Sequence, residues 1–272
     1  PFVVEVCAGT ARLTRTFINN GFHAVGIDCH RNRHTNCGPV LTLDLTEPED
    51  SQSAWDVLQN DSLVHSHFAP PCGTASRARE RPLPASEGRG HGPRPLRTEQ
   101  HPWGLLDRTN WECMKVYRAN LVYLFCFHAS LNAAIRGAGF SIENPKNSLL
   151  WHTYLMKFLL RLSNVDDMDY DGCMLGGKRP KAQRIRTNVM RMRAFALRCD
   201  NSHWHESWGL VRSRLGTVFA TSLETAYPQQ LCDAIVRAVS GTSSSAVKAS
   251  ELKRQSLRRR LVLSRAQASA AA

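Results

Sequence analysis

In the stretch His67-Phe-Ala-Pro-Pro-Cys-Gly-Thr-Ala-Ser-Arg-Ala-Arg79, an apolar run from Leu63 to Phe68 meets two prolines and then a cysteine. A short apolar run bounded by turn residues fits a buried parallel strand. Proline cannot continue a sheet ladder, so the strand stops there and Cys72 opens the loop. In an open α/β sheet, ligands bind in the crevice outside the carboxyl ends of the strands. A thiol held there beside Gly73 can be approached by a substrate. Arg77, Arg79 and Arg81 follow it, and positive charge favours the thiolate, the nucleophilic form. The same cysteine would serve equally as a small hydrophobe at a strand end.

Upstream, Val3-Val-Glu-Val6 is a β-branched run passing into Cys7-Ala-Gly-Thr-Ala11 and then into the helical spacing Leu13, Phe17, Ile18. This predicts strand, tight turn and helix. Small residues in such a turn let a ligand lie against the backbone, and the helix start offers unpaired N–H groups. A second strand, His23 to Ile27, ends in Asp28. That is about 20 residues after the turn, where nucleotide-binding folds place the acid that accepts ribose hydroxyls. A third, Val40 to Leu43, ends in Asp44. An aspartate at a strand end also serves as a turn or cap residue.

Downstream, residues 77–110 form a long stretch rich in Arg, Pro and Gly, with six arginines against two glutamates between Arg77 and Arg97. Such a composition suits phosphate contact or a solvated insertion. Met114 to Ile135 reads as a helix ended by Gly137 and Gly139. The strand Phe140 to Glu143 runs into Asn144-Pro145, which puts Glu143 in the same crevice as Cys72. Partly buried there, its carboxyl would have a raised pKa and could donate a proton; a solvated acid at a turn is the other reading. Leu149 to Leu162 has helical spacing. Gly176-Gly-Lys-Arg-Pro-Lys181 leads into Gln183–Asn188 and a further strand-like run. Its basic residues read as phosphate contacts or as a protected sheet edge. Phe219 to Tyr227 and then Leu231 to Val239, with Pro228 at the helix start, predict a last strand and helix.

Cys199, His203 and His205 are metal-binding residue types. Their spacing is not that of common zinc sites, and the remaining candidate ligand, Cys173, is remote in sequence. The residues alone therefore assign no metal and leave these as candidates. The chain has 272 residues and a net charge of +12, which points to an acidic partner, most simply nucleic acid. Seven Lys/Arg and one Glu between Lys248 and Arg265 place half of that charge in a tail expected to be disordered or loosely helical. No apolar run approaches the roughly 18 residues of a membrane span. Nine scattered cysteines suit free thiols in a reducing, intracellular compartment, and a nucleic-acid partner would make that compartment nuclear in a eukaryote. The chain opens inside a strand without methionine, as a fragment would.

Taken together and in order, these segments resemble the cytosine-5 DNA methyltransferase family. Val4-Glu-Val-Cys-Ala-Gly-Thr-Ala11 looks like its first cofactor motif, Pro70-Pro-Cys72 like its nucleophile motif and Glu143-Asn-Pro145 like its Glu-Asn motif. Gln183-Arg-Ile-Arg186 is similar to its Q-x-R-x-R motif, and Thr221 to Ile235 to its last motif. The resemblance implies a doubly wound, Rossmann-like α/β fold over 1–240 that binds S-adenosyl-L-methionine. It implies cofactor contacts from Glu5, Cys7, Ala8, Gly9, Thr10, Asp28, Asp44 and Pro70. Cys72 would be the nucleophile and Glu143 its partner, with Arg184 or Arg186 holding the flipped base or its phosphate. It further implies a catalytic loop at 77–110 and a short recognition region at 187–218, where the metal-type residues also lie; composition adds a basic tail at 241–272. DNA is the expected partner, with RNA and a non-catalytic nucleic-acid-binding remnant as alternatives. The sequence departs from the family at Gly73, where glutamine often stands, in lacking the first motif's second glycine, and in the adjacency of Gln183 and Arg184. Only 35 positions separate Arg186 from Thr221, against about 100 residues for an independent recognition domain. The pattern also resembles divergent members from mobile elements and phages.

Overall fold

The valines of the first strand alternate between two interiors. In the computed structural model, which describes residues 1–80, 93–213, 216–220 and 224–241, β1 (Phe2–Val6) sends Val4 and Val6 into one core and Val3 into another. Burial on both faces is what a parallel strand sandwiched between helices requires. It is joined by β2 (His23–Asp28), β3 (Val40–Thr42), β4 (Leu63–Phe68), β5 (Gly139–Pro145), β6 (Asp166–Asp171) and β7 (Ala182–Thr187). Their order across the sheet is β3-β2-β1-β4-β5-β7-β6. The strands from β3 to β5 are mutually parallel, and β7 runs antiparallel to both β5 and β6.

Helices cover both faces. On one side lie α2 (Pro48–Leu58), α3 (Asn110–Ile135) and α4 (Tyr154–Leu159), contributing Leu58, Phe125 and Met156 to the core. On the other lie α1 (Arg12–Asn19) and α5 (229–241), contributing Phe17 and Ile235. The result is a mixed α/β arrangement around one seven-stranded sheet, consistent with the expected doubly wound, Rossmann-like fold. A separate hairpin pairs β8 (Leu210–Ser213) with β9 (Gly216–Phe219). No helix among the described residues is long and apolar enough to cross a membrane.

Several expected elements differ. The long helix starts four residues before Met114, because Thr109 and Glu112 form a reciprocal capping box. The expected helix Leu149–Leu162 is a 3-10 turn (Leu149–His152) followed by α4, because the Thr153 hydroxyl caps a new start at Met156 N. The strand-like run after Asn188 is a 3-10 turn, Met190–Phe195. The strand expected to reach Tyr227 ends at Phe219. Nor is β7 a sheet edge, since the acidic strand β6 covers it. Arg81 and most of the expected basic tail, 242–272, lie outside the described residues.

Glu5 fixes α1 to the sheet. Its Oε2 accepts the Thr14 N–H at 2.7 Å and the Thr14 hydroxyl at 2.5 Å, while the residue is only 3% exposed. Burial raises its pKa from 4.5 to about 7. The folded chain therefore keeps this proton to about pH 7, whereas the unfolded chain loses it near 4.5. Between those values folding becomes less favourable as pH rises. Replacing Glu5→Gln should remove this component. Relative to the variant, the wild type should lose up to about 3 kcal/mol from pH 4.5 to 7, read as the difference between two denaturant-unfolding series. A pH-independent difference would contradict it.

Candidate active site

The strand order reverses between β1 and β4, because the chain winds outward to β3 on one side and to β5 on the other. Such a switch point leaves a crevice at the carboxyl ends of the two central strands. A cavity of about 600 Å³ opens there. Its wall includes Cys7, Ile27, Asp28, Leu43, Asp44 and Pro71. Glu5, Ala8, Gly9, Thr10 and Pro70, expected as cofactor contacts, are not in that wall. Glu5 instead holds α1, and Ala8 to Thr10 form the turn beside the cavity. That turn is strained at Cys7 and Ala11, with φ of 58° and 52°, whereas Gly9 takes its φ of 55° without cost. Ala11, the cap of α1, adopts a conformation that favours glycine.

Asp28 and Asp44 both face the cavity, and both also hold backbone. The Asp28 carboxylate accepts the N–H groups of Gly9 (2.7 Å) and Cys29 (2.8 Å), tying the β2 end to the turn after β1. Burial raises its pKa, and the two N–H donors oppose the rise. Asp44 accepts from the backbone and hydroxyl of Thr46 and pairs with Arg31 at 2.6 Å. Although burial pushes its pKa up, the Thr46 bonds and Arg31 hold it below the ordinary value.

The Cys72 loop is locked to its neighbours through carbonyls. The Asn144 amide donates to Pro70 O at 2.8 Å, and the Tyr123 hydroxyl to Pro71 O at 2.8 Å. The N–H groups of Ala75 and Ser76 return to Cys72 O. Gly73 leaves open space where a side chain would project, and Cys72 itself is half-buried. Burial raises the Cys72 pKa; Lys181 opposes the rise and Glu143 adds to it. The expectation that the following arginines favour the thiolate is thus corrected. Arg77 is paired with Glu80 and Glu99, and Arg79 binds the carbonyl of Arg94. Among the described residues, Lys181 is the cation that acts on Cys72.

Glu143 ends a buried polar chain that sequence reasoning missed. It is 7% exposed, and its Oε2 accepts the Tyr227 hydroxyl at 3.0 Å. Tyr227 lies 2.9 Å from His67 Nε2, and His67 Nδ1 lies 2.7 Å from the Ser141 hydroxyl. His65 Nε2 reaches the same hydroxyl at 2.9 Å. Because Tyr227 donates to Glu143, the chain runs in one sense and makes both histidines Nε2–H tautomers. Burial lowers both imidazoles to about 3, so they stay neutral. Glu143 Oε1 is buried and has no partner among the described residues. Burial raises the Glu143 pKa, against Lys181 and Tyr227.

Arg184 and Arg186 are placed elsewhere. In the β5–β7 register Glu143 lies opposite Ile185, whereas Arg184 and Arg186 lie opposite Asn144 and Ile142. Side chains alternate along a strand, so both arginines project from the other face of the sheet. Arg184 pairs with Asp169 at 2.7 Å and Asp167 at 3.0 Å, and the fully buried Arg186 with Asp167 at 2.7 Å. Their expected role toward a base gives way to a structural one between β7 and β6. The ligand atoms of Cys173, Cys199, His203 and His205, by contrast, all lie within 4.8 Å of one another.

No protein-family model and no curated protein matches the chain. Among solved structures it is similar to one described as the Entamoeba histolytica methyltransferase EhMeth. The TM-score is 0.35 and the identity 11%, over 76% of this chain and 57% of that one. The chain thus spans little more than half of that protein. At this level of likeness, function has to be argued from the site itself.

The charges around Cys72 predict its reactivity. Iodoacetamide labelling of Cys72, followed by peptide mass spectrometry, should be slow at pH 7 and accelerate above 9.0, the ordinary thiol value. At pH 9, Lys181→Met should slow it several-fold and Glu143→Gln should speed it. Equal rates in all three proteins would show that these charges do not reach the thiol.

Proposed function

We propose that the chain transfers a methyl group from S-adenosylmethionine to carbon-5 of cytosine in DNA, through a covalent adduct on Cys72. The observation that carries this reading is the junction of the Pro70-Pro-Cys72 loop with Glu143-Asn144. The Asn144 amide holds the Pro70 carbonyl at 2.8 Å, and the neighbouring Glu143 keeps one buried oxygen unpartnered among the described residues. A thiol on which Lys181 acts against burial and an acid with a raised pKa thereby stand at neighbouring strand ends.

The cavity fits the cofactor. A volume of about 600 Å³ is in the range for small-molecule sites. Ile27, Leu43 and Leu45 offer apolar surface to a purine. The Asp28 carboxylate accepts two backbone donors and, with roughly four lone-pair sites, keeps capacity for ribose hydroxyls. Bound there, the cofactor supplies an electrophilic methyl group on a sulfonium.

The chain's own residues make carbon-5 reactive. The Cys72 thiolate adds to carbon-6 while Glu143 passes its proton to ring nitrogen-3, which leaves carbon-5 enamine-like and able to accept the methyl group. Loss of the carbon-5 proton and departure of the thiolate restore the double bond, and nitrogen-3 returns its proton to Glu143. Tyr227 donates to Glu143 Oε2, which leaves Oε1 to carry the proton. Lys181 favours the thiolate. The base must leave the duplex to reach these groups. The exposed Trp111 and the nearby Lys115 and Arg118 line the cavity and suit stacking and phosphate contact.

Oligonucleotides containing 5-fluorocytosine test the mechanism, because fluorine blocks the final elimination and leaves the cysteine bonded to the base. The expected outcome is a denaturation-resistant adduct that needs S-adenosylmethionine, is absent in Cys72→Ser, and forms better with DNA than with RNA. Stronger trapping with RNA would move the substrate class. No adduct, in protein stabilised by S-adenosylmethionine, would reject cytosine as the acceptor. No adduct and no such stabilisation would leave a non-catalytic fold.

A further inference from the structure

Cys173, Cys199, His203 and His205 are brought together by three separate pieces of chain, each held by contacts of its own. Cys173 lies in the 3-10 turn Gly172–Leu175 that follows β6. Cys199 is stapled to the end of β6: Asp171 N donates to Leu197 O at 2.9 Å, and Asp171 Oδ2 accepts Cys199 N at 2.8 Å. Asn201, with a φ of 59°, then turns the chain back. His203 and His205 follow two residues apart, and Glu206 N donates to Lys178 O at 3.0 Å.

The side chains converge on one point. His203 Nε2 and His205 Nε2 are 3.0 Å apart, and Cys199 Sγ is 3.5 Å from His205 Nε2. All four ligand atoms lie within 4.8 Å of one another. A tetrahedral zinc with Zn–N of about 2.0–2.1 Å and Zn–S of about 2.3 Å holds neighbouring ligand atoms roughly 3.3–3.8 Å apart. A single His–His or Cys–His hydrogen bond would explain one of these approaches. It would give no reason for four metal-binding atoms to share one centre. Asn201 N also donates to Cys199 Sγ at 3.3 Å, the kind of outer contact that orients a metal-bound thiolate.

We propose that this cluster is a structural zinc site with two thiolate and two imidazole ligands. Four protein ligands complete a tetrahedron and leave no position for substrate, which distinguishes a structural from a catalytic zinc. Two soft sulfurs with two nitrogens in that geometry select zinc over oxygen-seeking cations. The site also answers a folding question. Residues 196–209 contain no helix or strand, and an irregular segment of that length gains order from a cross-link. Its other anchor is Arg179, 3% exposed, which binds Ser207 O, Glu206 and Glu224.

The zinc would brace more than its own loop. Gly172 N donates to Lys181 O at 2.9 Å, so the turn carrying Cys173 is bonded to the residue whose charge acts on Cys72. Metal binding at the sheet edge would then fix the position of Lys181.

Zinc content of the full chain, purified under reducing conditions and measured by plasma mass spectrometry, tests the proposal. The expected result is one zinc per chain, retained in Cys37→Ser, which alters an exposed cysteine outside the cluster, and lost in Cys199→Ser and His205→Ala. Because loss of a ligand can also unfold the loop, the wild type provides the independent measurement. Stripped of metal and titrated with cobalt(II), it should develop the visible bands of tetrahedral coordination and the charge-transfer absorption of thiolate ligands. Zinc should then bleach both and raise the melting temperature. Reduced wild-type protein that carries only traces of zinc and gives no cobalt spectrum would overturn the proposal. So would full zinc content in the Cys199→Ser/His205→Ala double variant. A Cys173–Cys199 disulfide, with no metal uptake after reduction, would overturn it in favour of a redox-linked pair.

Discussion

The Glu143 carboxyl is kept inside this sheet with one hydroxyl as its bonded partner. Glu143 lies at the end of β5 with Tyr227 as its bonded partner, and Tyr227 is itself held by His67. Remove that contact and a buried acid loses its donor, at a cost of about 1–3 kcal/mol or more. Because the parallel register sets His67 beside Ser141 and His65 beside Gly139, the line of polar groups extends back into the sheet. Gly139 is needed for this line: a Cβ there would come within 2.7 Å of His65 Nδ1. The catalytic proposal and the stability of the sheet's centre therefore rest on the same bonds.

The parts of this arrangement that follow from adjacent residues were legible in the sequence. The β-branched run at Val3, the Pro-Pro stop before Cys72 and the Glu143-Asn-Pro turn each state their geometry locally, and each stands at a strand end. What was not legible depends on pairing. Asp166-Asp-Met-Asp-Tyr-Asp171 carries four acids, a composition that argues against a strand. It forms β6 because Arg184 and Arg186 lie across from Asp169 and Asp167. The same pairing withdraws those arginines from the role suggested by their motif. Thr153 likewise breaks a continuous helical pattern by capping a new start.

Lys181, Tyr227, His65 and His67 were missed for a related reason. The bonds and charges that join them to the site run between separate strands and loops. The spacing of His65 and His67 puts both on one face of β4, a signal visible in hindsight, but the Ser141 that joins them comes from another strand. The metal-type residues show the reverse case. Cys199, His203 and His205 stand out by type, while Cys173, a candidate remote in sequence, lies beyond an intervening strand and joins the set only through the bonds of Asp171.

Tyr227 also sets the order in which the molecule can become competent. During synthesis Cys72 and Glu143 emerge early, and β1 to β7 can pair once Thr187 has left the ribosome. At that stage Glu143 still has no hydroxyl facing it and His67 Nε2 has no acceptor. The segment that supplies both is 84 residues from Glu143 in the chain. It is carried in by α5, whose apolar residues pack against α1 and β1. A nascent chain therefore holds Cys72 and Glu143 well before Glu143 has its bonded partner, and docking of its last described helix is the step that supplies it.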